Sequence, residues 1–348
     1  MRLSTGKSKK HEARTYLNQL IAEGNLIPDK KKNMTFTEFS KDFWLWDKCQ
    51  YVERKREREG ITQDYASNQR NNLEKHILPF FGPRKLIHIS GDDIFTWLST
   101  FKGKNLSNKT ANNNLNTLKV MLTEAVKKGH IKGNPAKDVT PLRKNTKERG
   151  ILSPPEVKKI FSPDTIGEVW ENDLFNYLGN LLSAVSGLRQ GEILALKTKN
   201  VFPEYIHVEH SFSKVDSLKS TKTGDKRDIP ISPHVYSLLE NIMKPDPESY
   251  IFSFNGVRPI EGRILTSGLY TALKNIEISE EDIKERNIKF HSWRHFFNTT
   301  LRKNGLADSK IQRITGHKTQ EMTENYTHWQ VEDLREVVRI QDGIILET

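Results

Sequence analysis

The spacing of apolar residues along the chain predicts mostly helices. In the first part of the chain, three- and four-residue steps between apolar positions predict helices near residues 64–78, 90–101 and 107–129. An aromatic stripe from Phe36 to Tyr51 has the same steps and predicts a helical segment ahead of them. We therefore expect a four-helix module with the aromatic stripe in its core.

The pattern changes only between residues 199 and 231. Apolar and polar residues alternate there, and TKTGD lies between two strand-like runs, so we expect a small antiparallel sheet with Lys222 in or near a hairpin. Ser153 followed by Pro154 is typical of a helix N-terminus. The other helices predicted in this half cover residues 172–187, 233–242, 262–275, 291–304, 308–315 and 319–326. The predicted fold class is mainly α with a small antiparallel β-sheet, α+β.

Changes of composition along these elements predict five segments. We expect a basic tail, a helical domain, a linker rich in charge, proline and glycine, a second domain and an amphipathic C-terminal segment. In that order they cover residues 1–33, 34–130, 131–150, 151–330 and 331–348. The spacing of apolar residues in the last segment predicts an apolar face that must dock in a groove, either on its own domain or on a neighbouring protomer.

Composition excludes several classes of protein. The 348 residues are 28% charged and contain no apolar run near the roughly 20 residues of a membrane span. The single cysteine, Cys49, excludes an internal disulfide and a cysteine-based zinc site, and it fits a cytoplasmic protein. We predict no metal, no cofactor and no membrane partner.

The charge is unevenly distributed. The chain carries a net charge of +11, but residues 1–150 carry +14 and the rest −3. A basic first half indicates a polyanionic partner, and we favour nucleic acid over an anionic membrane surface. The predicted helix 107–129 is the candidate for DNA contact, with a merely solvated face as the alternative. Its candidate residues are Asn108, Lys109, Asn112, Asn113, Asn116 and Lys119.

A set of basic residues in the second half indicates phosphate chemistry. Taken singly, each of these residues has an ordinary explanation. Arg189 fits a structural ion pair, His291 and Arg294 fit a chance pair on one helical face, and Tyr326 fits a packing residue. Together they form a group that binds an anion and stabilises a pentacoordinate phosphorane-like state without a metal. The full set is Arg189, Lys222, His291, Arg294, His317 and Tyr326.

The order and spacing of these residues resemble the tyrosine recombinase family of phage-type integrases. The segments SGLRQGEILAL, TKTGDKRDIPI, HSWRH and ITGHKTQEMTENYTH carry the resemblance across nearly all of residues 151–330. It implies that residues 34–130 are a core DNA-binding domain and residues 151–330 the catalytic domain. Glu192 matches an acidic residue usual in the family, either orienting the site or only pairing with a structural arginine. Thr315 departs from the family's frequent leucine.

The resemblance also implies the role of each residue. Tyr326 attacks the scissile phosphate, and Arg189 and Arg294 clamp its non-bridging oxygens. Lys222 protonates the leaving oxygen, His291 accepts the phenol proton and His317 donates to the phosphate.

The family further implies a homo-tetramer on double-stranded DNA, a Holliday junction, and accessory DNA-bending or directionality factors near the bacterial nucleoid. Residues 1–33 are then either a basic tail or the remnant of the arm-binding domain that integrases carry. This segment favours an integrase of a phage or mobile element over a Xer-like resolvase. A type IB topoisomerase and a regulator with a vestigial site are further alternatives. TGH followed by tyrosine argues against the topoisomerase, and the complete residue set argues against the regulator.

Overall fold

The computed structural model describes residues 5–22, 33–143, 150–162, 166–220, 226–316, 331 and 334–345. The chain divides into two compact units, residues 1–146 and residues 147–348, and the division falls inside the segment predicted as a linker. Helices dominate both units, and the second also contains short antiparallel strands. The predicted fold class is therefore confirmed.

The helices of the first unit that follow residue 33 surround one apolar core. In chain order they are α1 (Lys10–Ala22), α2 (Phe36–Ser40), α3 (Gln50–Glu59), α4 (Gln63–Asn72), α5 (Leu78–Phe81), α6 (Gly91–Gly103) and α7 (Asn108–Lys127). The hydroxyls of Thr35, Ser90 and Ser107 accept hydrogen bonds from the first turns of α2, α6 and α7. These helices therefore begin at the capping residues that the sequence supplies.

The aromatic stripe lies mainly in the core, but the prediction of one continuous helical segment is wrong. Between α2 and α3 the backbone leaves the helical conformation, because Trp44 has a φ of 66°. Phe36, Phe43 and Trp44 are all buried. The break lets two successive aromatic side chains enter the core, whereas successive residues of a helix point about 100° apart.

Residues 64–78 are helical as predicted, with one widened turn. α4 runs into a π turn, Leu73–Ile77, in which Leu78 N–H donates to Leu73 O five residues earlier. Pro79 explains the widening, because its ring would collide with the carbonyl four residues before it in a regular α-helix. The indole N–H of Trp97 donates to His76 O at 2.9 Å, so α6 satisfies a carbonyl of this turn.

The first part of the predicted linker belongs to the first unit. Ile131 and Ala136 are buried in its core, and Leu142 packs against that core. The side-chain amide of Asn112 donates to Leu142 O and accepts from Leu142 N–H, both at 2.8 Å. Residues 131–143 are thus packed against α7, which supplies partners for their backbone groups and apolar side chains.

The second unit is built around a larger core. Its helices are α8 (Pro154–Phe161), α9 (Ile166–Trp170), α10 (Leu174–Ser186), α11 (Gln190–Leu194), α12 (Pro233–Glu240), α13 (Gly262–Asn275), α14 (Glu280–Glu285), α15 (Ser292–Lys303), α16 (Asp308–Thr315) and α17 (Glu336–Ile345). The predicted helices match α10, α12, α13, α15 and α16 within two residues at each end. The predicted helix 319–326 lies outside the described residues.

Two small antiparallel sheets replace the single predicted one. β1 (Tyr205–Val208) pairs with β4 (Arg227–Pro230), and β2 (His210–Ser213) pairs with β3 (Ser217–Ser220). β3 is missing from the prediction, because its residues SLKS give no apolar alternation. Lys222 follows β3 and lies outside the described residues.

The C-terminal helix α17 packs on its own unit in this structure. Val337 and Gln341 are fully buried, and Ile345 is 4% exposed. The amide nitrogen of Gln341 donates to Val185 O at 3.0 Å and to Pro230 O at 2.6 Å. Docking of this segment on a neighbouring protomer stays a prediction. In the described ranges, no helix combines the length and the apolar character needed to cross a bilayer.

Candidate active site

Arg189 stands at the junction of α10 and α11. α10 ends at Gly187 with a φ of 67°, and a Cβ there would lie 2.6 Å from Cδ1 of Phe297. Glycine is required on both grounds, because it alone adopts this conformation freely and leaves room for the ring. The chain turns sharply there and places Arg189 at the N-terminus of α11, with its side chain 23% exposed.

Glu192 holds Arg189 in place. Its carboxylate accepts from the backbone N–H of Arg189 at 2.9 Å and from Arg189 Nη1 at 2.7 Å. It also accepts from Arg227 Nη2 at 2.7 Å, and both Glu192 and Arg227 are buried. Burial alone would raise the pKa of Glu192, but Arg227 and Arg189 hold it below its usual value. One ionised carboxylate is therefore shared between two guanidinium groups.

Arg294 lies in the interior on α15. Its Nη1 donates to Gly187 O at 2.7 Å, and its Nη2 donates to Thr315 O. Burial, with the positive charges of Arg189 and Arg227 close by, lowers the pKa of Arg294, and Glu192 opposes this shift. Since Gly187 is two residues before Arg189, the bond to its carbonyl fixes the two predicted phosphate-clamping arginines near each other.

His291 lies at the start of α15, one turn before Arg294. Its ring is partly buried and meets the ring of His295 edge to face, with a centroid distance of 5.3 Å. The positions i and i+3 place His291 and Arg294 on one side of the helix, as predicted. His295 is exposed.

Three arginines converge on the C-terminal turn of α16. This turn ends at Gly316 with a φ of 66°, immediately before His317 in the sequence. Each arginine donates to a different carbonyl of three successive residues: Arg227 Nε to Ile314 O at 2.8 Å, Arg294 Nη2 to Thr315 O, and Arg189 Nη2 to Gly316 O at 3.4 Å. Three guanidinium groups with one carboxylate leave the site positively charged, which favours binding of an oxyanion.

The structure thus brings together Arg189, Glu192, Arg294 and the end of α16. Lys222, His317 and Tyr326 lie outside the described residues, so their roles stay predictions. Arg227 was missed by the sequence reasoning. A signal was present, since Arg227 is at an alternate position to Ile229 of β4 and shares its inward face, where a charged residue is unexpected.

The candidate DNA-contacting residues of α7 fall into two groups. Lys109, Asn113 and Asn116 are exposed, and their spacing of four and three residues places them on one face. Asn112 is buried, and its side-chain amide bonds to the backbone of Leu142. The side chains of Asn108 and Lys119 donate to the backbone of residues 137–143. The structure thus gives these three residues partners within their own unit.

Among the described residues, no group of three or more His, Cys, Asp or Glu side chains is placed to hold a metal ion. The site's donor groups are instead guanidinium N–H groups, which bind phosphate oxygens through paired hydrogen bonds.

Sequence comparisons identify the family. The profile of the phage integrase family matches residues 157–333, and that of the phage integrase central domain matches residues 49–141. The tyrosine recombinase XerD of Rickettsia bellii is 23% identical over 281 residues, 78% of this chain and 90% of that protein. The integrase of Escherichia phage HK022 is 26% identical over 275 residues, 76% of this chain and 68% of that protein.

A solved structure shares the fold. The fold is similar to that of lambda integrase in a tetramer bound to a Holliday junction, with a TM-score of 0.65, 20% identity, and coverage of 93% of this chain and 86% of that one. The family profile spans just over half of the chain and includes the turn where the three arginines meet. The chain belongs to the phage integrase family, the tyrosine recombinases.

Proposed function

We propose that this protein is a site-specific recombinase that cuts and rejoins DNA through a covalent 3′-phosphotyrosyl intermediate on Tyr326. The observation that carries the proposal is the meeting of Arg189 and Arg294 around Gly187 and the end of α16. Two forked donors side by side match the two non-bridging oxygens of a phosphodiester. The turn that they contact leads directly to His317 in the sequence.

The cleavage step transfers a phosphoryl group between two oxygens. Tyr326 Oη bonds to phosphorus, and the bond from phosphorus to the 5′ oxygen breaks. His291 accepts the phenol proton, and Lys222 protonates the leaving 5′ oxygen. Arg189, Arg294 and His317 stabilise the charge on the pentacoordinate phosphorus, with Glu192 holding Arg189.

The reaction requires no nucleotide cofactor in this scheme. A phosphotyrosine diester replaces a DNA phosphodiester, so the bond energy is retained in the protein–DNA link. The 5′ hydroxyl of a partner strand then attacks phosphorus, releases Tyr326 and joins two different strands. Exchange of one strand pair produces a Holliday junction, and exchange of the second pair resolves it.

The partners we infer are double-stranded DNA and three further copies of this chain. The exposed face of α7 with Lys109, Asn113 and Asn116 is the proposed contact of the first unit with DNA. The lambda integrase structure, a tetramer on a Holliday junction, supports a four-membered assembly. Accessory DNA-bending factors would set the direction of the reaction, and the protein would act at the bacterial nucleoid.

Two physiological roles fit this chemistry. We favour integration or excision of a phage or mobile element, because the basic N-terminal segment extends ahead of the helical domain. The alternative is a Xer-like resolvase of chromosome or plasmid dimers, which the similarity to XerD supports. Two substrates distinguish these roles. An integrase should recombine the ends of an element with a chromosomal site, whereas a resolvase should recombine two copies of a single site.

The test of the chemistry is formation of a covalent adduct. Nicked suicide duplexes drawn from DNA flanking the protein's own gene are incubated with wild-type and Tyr326→Phe protein without divalent metal, and the products are separated on a denaturing gel. We expect an adduct from the wild type alone, with equal binding of both proteins in a gel shift. An adduct from Tyr326→Phe would contradict the assignment of the nucleophile.

A further inference from the structure

We propose that Arg227 is a positioning residue for DNA cleavage, acting through Glu192 and through the end of α16. This inference rests on the proposed function above. Arg227 is on β4, within the same segment TKTGDKRDIPI as Lys222, but it is not one of the predicted site residues. Its guanidinium joins Glu192 to the carbonyl of Ile314 and so connects the two elements that meet at the cleavage site.

The first connection fixes the carboxylate that holds Arg189. Glu192 Oε1 accepts from Arg189 Nη1, and Oε2 accepts both the Arg189 backbone N–H and Arg227 Nη2. With Arg227 on the other side, Glu192 is an acceptor for two cations. Without Arg227, the whole negative charge of Glu192 would act on Arg189 and weaken its attraction for a phosphate.

The second connection fixes the turn before His317. Arg227 Nε donates to Ile314 O at 2.8 Å, and a Cβ built on Gly316 would lie 3.4 Å from Arg227 Nη1. The guanidinium therefore packs directly against this turn. A shift of Arg227 would move the carbonyls of Ile314 and Gly316, and with them the point at which the chain continues to His317.

Stability alone does not explain an arginine at this place. Its side chain is 3% exposed, and Nη1 is buried with no hydrogen-bond acceptor among the described residues. A buried guanidinium with an unused donor costs free energy, which the bonds to Glu192 and Ile314 O offset only in part.

The test compares variants of Arg227 with a matched arginine elsewhere in the unit. Arg227→Met keeps an extended side chain and removes its charge. Arg227→Lys keeps the charge and removes the forked guanidinium donors. Arg286→Met is the control, because Arg286 also pairs with a glutamate of the second unit, at 2.7 Å. Single-turnover cleavage of the suicide duplex at saturating protein, DNA affinity and Tm are measured for each full-length variant.

We expect Arg227→Met to cleave about 100-fold slower, the loss typical of a misplaced reacting geometry. DNA affinity should stay within about threefold of wild type, because no phosphate contact is removed. Arg227→Lys should recover part of the rate. Arg286→Met should lower Tm without a selective loss of cleavage.

A second substrate tests the route through Arg189. A methylphosphonate at the scissile position removes one negative charge, so cleavage depends less on guanidinium charge. The defects of Arg227→Met and Arg189→Ala should both shrink on this substrate. An equal defect of Arg227→Met on both substrates, a wild-type rate, or unfolding of both Arg227 variants would overturn the inference. Absence of any adduct with the wild type would instead count against the proposed function.

Discussion

Gly316 sets the backbone direction where the three arginines meet. Its φ of 66° is left-handed, and its carbonyl accepts from Arg189. An L-residue with a Cβ would be strained there by about 1–2 kcal/mol. Relief of that strain would rotate the carbonyls that the arginines contact.

Gly316→Ala is therefore expected to slow cleavage at least tenfold, because displaced carbonyls misalign the arginines. Gly305→Ala is the matched control. Gly305 also has a left-handed φ, 79°, but a Cβ there would meet nothing within 4 Å. Both variants should lose similar stability in thermal denaturation, and only Gly316→Ala should lose cleavage of the suicide duplex. Equal loss of cleavage in both would show that the turn has no special role.

Arg189 and Arg294 could be predicted at the residue scale because their motifs have fixed spacing and recognisable chemistry. The sharing of Glu192 between two arginines could not be predicted from the sequence. Which guanidinium reaches a buried carboxylate depends on the pairing of β1 with β4 and on the position of α16, and both come from contacts distant in sequence. Arg227 was missed for the same reason.

At the scale of elements, α8 is held by a paired ion bridge. Arg286 donates to both oxygens of Glu156, at 2.7 and 2.8 Å, and also to Ile151 O. Glu156 additionally accepts from Ser153 N–H at the helix N-terminus. These bonds, Arg286 foremost, lower the pKa of Glu156 from 4.5 to about 2.

A lowered pKa in the folded state makes this contribution sensitive to acid. The unfolded chain takes up the proton first, so the stabilisation is complete above about pH 5 and is lost as the pH falls toward 2. We expect Glu156→Gln to lower the free energy of unfolding at pH 7 by up to about 3 kcal/mol. Urea unfolding between pH 7 and 3 should show the variant's deficit shrinking as the pH falls. Glu248→Gln, which weakens the pairs of an exposed carboxylate with Lys197 and Lys199, should change little.

Asn112 makes a second testable connection, between α7 and the chain that leaves the first unit. Asn112→Ala removes both bonds to Leu142 and should release residues 137–143, because buried backbone groups lose their partners. Trypsin should then cleave after Lys137 and Arg143 several times faster than in the wild type. Asn116→Ala, on the exposed face, should leave proteolysis unchanged and weaken DNA binding. Unchanged cleavage in Asn112→Ala would show that other contacts hold the segment.

The bounds of α13 and α16 could be predicted because their apolar spacing and end residues agree. The break at Trp44 and the packing of residues 131–143 could not be predicted from the sequence. Aromatic residues at helical spacing predict a helix even where the backbone turns out of the helix. A segment rich in charge, proline and glycine has no apolar periodicity, even though Asn112 bonds to Leu142 within it. β3 carries too little apolar alternation for any periodic signal.

At the scale of the whole molecule, positive charge is concentrated in residues 1–150. DNA affinity should therefore fall steeply with salt, since each phosphate contact releases counterions. Lys109→Ala should reduce the slope of log affinity against log salt by about one, without altering sequence preference. Lys284→Ala, on exposed α14 of the second unit, is the control and should leave the slope unchanged. Equal slopes for the wild type and Lys109→Ala would remove Lys109 from the DNA contact.

The two bonds of Gln341 have a consequence for any assembly in which copies exchange their C-terminal helices. Withdrawal of α17 removes the donor to Val185 O and Pro230 O, and an equivalent glutamine from another copy would restore it. An open chain of copies would leave one member unfilled, whereas a closed ring fills every member. Gln341 therefore favours a closed ring of copies over an open chain, because only in the ring does every member keep both hydrogen bonds.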